Sequence, residues 1–159
     1  MNLEEFLKNK EKFIQETIEL GRNCPIEKVE LSTNIESIKK LDRIVEIIRG
    51  LYQKKMLDDI VAWNISVGMG VLLGEMIINK EKFKWTMNDE NIPVVQTPDN
   101  AQLSPITKIY KIIKSKENDE GSPSDFYELY IAMMNFSKLP KEKQSKVSMH
   151  WDEEKKEFI

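Results

Sequence analysis

Glu75 is the one ionisable side chain in residues 60–78, IVAWNISVGMGVLLGEMII. An unpaired carboxylate on an apolar helix is costly, so it must find a partner or a raised pKa. Two roles fit such a group. It could be a general base or partner-binding acid, or it could lie near a helix C-terminus, exposed or paired with Lys80 or Lys82. The second is favoured, because structural ion-pair networks also perturb acids. The same run holds Gly68, Gly70 and Gly74, a G-x-G-x-x-x-G spacing that invites a nucleotide. A dinucleotide site needs a strand before the first glycine, so that phosphates meet a helix N-terminus. Residues 59–67 would have to be that strand and 83–87 the next, with Asp89 for a ribose. Against this, Ala62, Ser66, Gly70 and Gly74 keep a four-residue spacing that starts before the supposed loop. Such residues share one face of a helix. A buried central helix with a stripe for close contact is the better fit.

Other chemistry is sparse. His150 and Cys24 are the only histidine and cysteine, so neither a multi-histidine metal site nor an internal disulfide is expected. Glu117, Asp119 and Glu120 could attract a divalent cation, but their spacing is not that of a calcium hand and favours a solvated loop. The chain has no P-loop, nucleophile elbow or HExxH motif. Tyr127, Tyr130 and Phe136 stand near helical spacing and read as core rather than as base-stacking platforms. Lys138, Lys141, Lys143 and Lys146 form a basic cluster, but acidic residues follow at 152–154. No catalytic residue, metal or cofactor is assigned.

These residues must be carried by a few elements. Leu3, Phe6, Leu7, Phe13, Ile14 and Ile18 predict a first helix that Gly21 stops. Residues 26–31 alternate as a short strand or an extended connection. Thr33 and Glu36 form a capping box ahead of a helix bearing Ile38, Leu41, Ile44, Val45, Ile48 and Leu51. Gly50 leaves its end open. After the central helix the period changes to two: Phe83, Trp85 and Met87 alternate with polar residues. Asn88-Asp89-Glu90-Asn91 is turn chemistry, and residues 92–97 return as a second strand. Pro93 makes that strand an edge or confines it beyond the proline. Ser104-Pro105 and Ser122-Pro123 each open a further helix, and Pro140 ends the last.

The expected fold is therefore α+β: a mainly helical single domain over residues 1–140, with a small antiparallel hairpin on the central helix. A charged C-terminal tail covers 141–159. At 159 residues the chain is about one domain in size. Its 24 basic and 27 acidic residues give a net charge of -3, with no basic stripe for nucleic acid. The N-terminal stretch is acidic from Glu4 and does not read as a secretory signal. Residues 60–78 are long enough for a bilayer, but Asn64, Glu75 and the lack of flanking aromatic belts favour a buried core helix.

Several of these segments also resemble a known pattern. Glu36-Ser37-Ile38-Lys39-Lys40-Leu41-Asp42, Gly70-Val71-Leu72-Leu73-Gly74-Glu75, Trp85, Pro105 with Ile109–Lys111, and Asp125-Phe126-Tyr127 occur in that order. The chain resembles a family of uncharacterised bacterial proteins with E-S-x-x-x-L-D, G-x-Y-L-G-E and downstream tryptophan motifs. The likeness covers about residues 33–134. Leu72 departs from it, standing where an aromatic is frequent. The resemblance implies a small α+β protein, and some members are grouped with immunity proteins of bacterial toxin systems. It carries over no catalytic residue. Asp42 and Glu75 read as paired polar groups, Gly70 and Gly74 as close helix contacts, and Trp85 as a hairpin anchor.

The function expected is that of a cytoplasmic interaction protein, an immunity protein that neutralises a cognate toxin. Its partner-binding residues would be the acids on two loops: Asp89 and Glu90, and Glu117, Asp119 and Glu120. No nucleic acid or membrane partner is expected. The alternatives are a small-molecule or nucleotide-binding enzyme built around Gly68, Gly70, Gly74 and Glu75, or a housekeeping protein.

Overall fold

The computed structural model of the protein describes residues 1–137, 151–152 and 157–158. The chain forms two units, Met1–Phe126 and Tyr127–Ile159. Around the long helix α3 (Asp59–Glu81), the first unit assembles α1 (Leu3–Arg22), α2 (Ile38–Gln53) and α4 (Pro105–Lys114), together with the opening turn of α5 (Pro123–Ser137). It also holds an antiparallel sheet in the order β1 (Lys84–Met87), β2 (Pro93–Gln96) and β3 (Gln102–Leu103). The class is α+β and mainly helical, as the periodicity predicts.

α3 is apolar on every side, and its neighbours cover most of it. Asp58 caps its start, accepting the Val61 amide at 2.8 Å. Lys82 ends it in the left-handed conformation, φ 59°. Ala62, Ser66, Met76, Ile77 and every residue from 68 to 74 are buried. α3 is long and apolar enough to cross a membrane, yet 61% of its most apolar window lies inside the protein.

The flanking helices differ from their local signals at the ends. α1 continues past Gly21 to Arg22, and Asn23 caps it with φ -101°. Gly21 is there for space: its carbonyl accepts the Val29 amide at 2.8 Å, and a Cβ would press on the Val29 carbonyl. Residues 26–31 form no strand; Val29 and Leu31 tuck under this end of α1 as extended chain. Before α2 the capping residue is Asn34, not Thr33. Its side chain accepts the Glu36 amide at 2.9 Å and opens a 3-10 turn, Ile35–Ser37, that leads into α2. α2 runs through Gly50 to Gln53.

The hairpin is present, with Trp85 opposite Val95 and Met87 opposite Pro93. Pro93 is the first residue of β2, a position where a missing N–H is tolerated. β2 is nevertheless the middle strand, because β3 pairs with its other side through Val95–Leu103 and Gln96–Gln102. Two residues of β3 are too few to show a period in sequence. α4 and α5 begin at the expected prolines. Ser104 makes no side-chain cap bond, whereas Ser122 and Asp125 cap α5 reciprocally at 3.1 Å in each direction.

The second unit contains the remainder of α5 and an antiparallel pair, β4 (Trp151–Asp152) and β5 (Glu157–Phe158), with Trp151 opposite Phe158. Lys138 and the rest of the charged tail, with Lys141, Lys143, Lys146 and His150, lie outside the described residues.

Candidate functional site

Glu75 directly follows Gly74 in α3 and is partly buried, its side chain 14% exposed. Its partner is neither Lys80 nor Lys82. Lys10 of α1 reaches one carboxylate oxygen at 3.0 Å, and the Trp85 indole N–H donates to the other at 2.9 Å. One carboxylate thus ties α1, α3 and β1 together. Lys10 stands four residues from both Phe6 and Ile14, so its spacing places it within the apolar stripe of α1 but does not pair it with Glu75. The indole lies on Gly74, where any Cβ would run into the ring. Phe6 meets it edge-on, with centroids 5.0 Å apart.

The other motif residues also hold elements together. Gly70 lets α4 approach so closely that a Cβ there would collide with the Ile106 backbone. Gly68, on another face, makes room for Thr17 of α1. All three glycines lie inside one continuous helix, so the strand-loop-helix geometry of a dinucleotide site is not formed. Asp42 of α2 and Glu75 share no hydrogen-bond or ion-pair partner among the described residues. Its Oδ1 accepts the Ser124 amide at 2.9 Å, its Oδ2 accepts the Ser124 hydroxyl, and Lys39 stands 3.9 Å away. A carboxylate from a distant helix therefore caps the first turn of α5, where unpaired amides and the helix dipole favour it.

The acidic loops differ in what they leave available. At the β1–β2 turn, the Asn88 side chain accepts the amides of Glu90 and Ile92, each at 2.9 Å. Asn91 takes φ 59°. The turn is thus tightly bonded, while the Asp89 and Glu90 side chains project as exposed groups. Beyond α4, Arg49 donates to the Ser115 carbonyl at 2.8 Å and to the Lys116 carbonyl at 2.9 Å, and Gln53 reaches the Ile113 carbonyl at 3.1 Å. The bonds to Ile113 and Ser115 satisfy carbonyls that the end of α4 leaves open. In the loop itself, Asp119 accepts the Ser115 hydroxyl at 2.9 Å and Glu120 pairs with Lys108 at 3.2 Å. Glu117 is exposed. Thus Asp119 and Glu120 are engaged within the fold, and Asp89, Glu90 and Glu117 have no side-chain hydrogen bond or ion pair among the described residues.

Loop 115–120 borders a shallow groove of about 500 Å³ shared with Thr107, Tyr110, Lys111 and Lys114. Lys114 lies over the Tyr110 ring at 5.1 Å. The Tyr110 hydrogen bond raises its ammonium pKa, and the negative charge of Asp59 adds to the shift. Tyr110 also meets Trp63 of α3 edge-on, centroids 5.1 Å apart. Among the described residues, no three His, Cys, Asp or Glu side chains converge to hold a metal.

Comparison with known proteins adds no relative: no family model, curated protein or solved structure matches the chain.

Proposed function

We propose that the protein is a cytoplasmic immunity protein, one that binds a cognate bacterial toxin and blocks it. The observation that supports this reading is the division among its acids. Asp42 and Glu75 are spent on holding helices, whereas the carboxylates of Asp89, Glu90 and Glu117 stand in solvent without a partner among the described residues. Uncommitted acids on a surface steer a basic partner toward it and set its register. Those of the β1–β2 turn sit on backbone already fixed by Asn88, so little ordering entropy is lost when a partner docks. The resemblance to the E-S-x-x-x-L-D and G-x-Y-L-G-E pattern, from which Leu72 departs, implies the same role.

The test begins with the gene beside this one. If that gene encodes a toxin, the two purified proteins should form a stoichiometric complex, and co-expression should protect cells from the toxin. A neighbouring toxin that neither binds nor is neutralised would refute the proposal.

A further inference from the structure

We draw no further inference here: the strongest candidate, the exposed apolar side chains of Met56, Ile60 and Val61 where α2 gives way to α3, stands among lysines and carboxylates along the chain, and nothing in the structure shows what covers it.

Discussion

Lys10, Trp85 and Glu75 come from three different elements, so each can be removed separately to weigh the clamp they form. Lys10→Met strips the carboxylate of its cation and leaves it partly buried. The pair retains some solvent, so the cost is set at about 1–3 kcal/mol, below that of a fully buried pair. The double variant Lys10→Met/Glu75→Gln should recover part of that loss in chemical denaturation; equal losses in single and double variants would mean that the charge pair is not the cause. Asp42→Ala removes the acceptor for two groups of Ser124 and should cost about 1–2 kcal/mol, as other lost caps do. Asp42→Asn retains one acceptor and should cost less. Tyr52 offers a pH test. Its hydroxyl donates to Asp59 at 2.6 Å, and that bond, with burial and the Asp59 charge, raises its pKa above the usual tyrosine range. The raised pKa favours the neutral phenol, so the link between α2 and α3 persists below the ordinary phenol pKa and is lost as pH rises through the raised one. Asp59→Asn should return the Tyr52 ionisation toward its ordinary value in ultraviolet titration, with Tyr52→Phe marking which signal is its own. At this scale the sequence showed that Glu75 needed a partner but not which one. Lys80 and Lys82 were nearer in the chain, and only packing of α1 on α3 brings Lys10 closer. Ser124 was silent as well, because the link to Asp42 spans 82 positions.

Glycines report on how the helices meet. Gly70→Ala should force α3 from α4 and cost about 1–3 kcal/mol, since the obstacle is the Ile106 backbone and cannot rotate away. Gly50→Ala should do the opposite. Nothing lies within 4 Å of its Cβ position, and helix propensity then favours alanine by about 0.5–1 kcal/mol. Thermal melts of the two variants should move in opposite directions; a shared direction would contradict the contact assignment. The helices themselves were legible because their apolar spacing is long and regular, and α3 stood out by its composition. Their ends were less so. Gly21 looked like a stop because glycine favours left-handed caps, but here its missing side chain serves the approach of Val29. Asn34 and Thr33 are both capping residues one position apart, and sequence alone does not choose between them. β3 went unseen because its two residues pair only after Thr97 and Asn100 turn the chain back.

Across the whole molecule, charges of both signs nearly cancel, so any steering must come from local groups rather than from net charge. The structure narrows the five acids singled out in sequence to three that can be reversed without breaking an internal bond. Glu120→Lys would set a second ammonium group beside that of Lys108 and disturb α4, which makes it a poor probe of binding. Asp89→Lys/Glu90→Lys/Glu117→Lys leaves every described hydrogen bond in place, so its melting temperature should stay close to that of the parent. The most direct test of the proposed role is the association rate of this triple variant with the cognate toxin that the proposal requires, measured by biosensor at two salt concentrations. The account predicts slower association and a weaker dependence on salt, with the parent protein losing its advantage as ionic strength rises. An unaltered association rate at both salt concentrations, in a variant that folds normally, would contradict the assignment of these acids to the binding face.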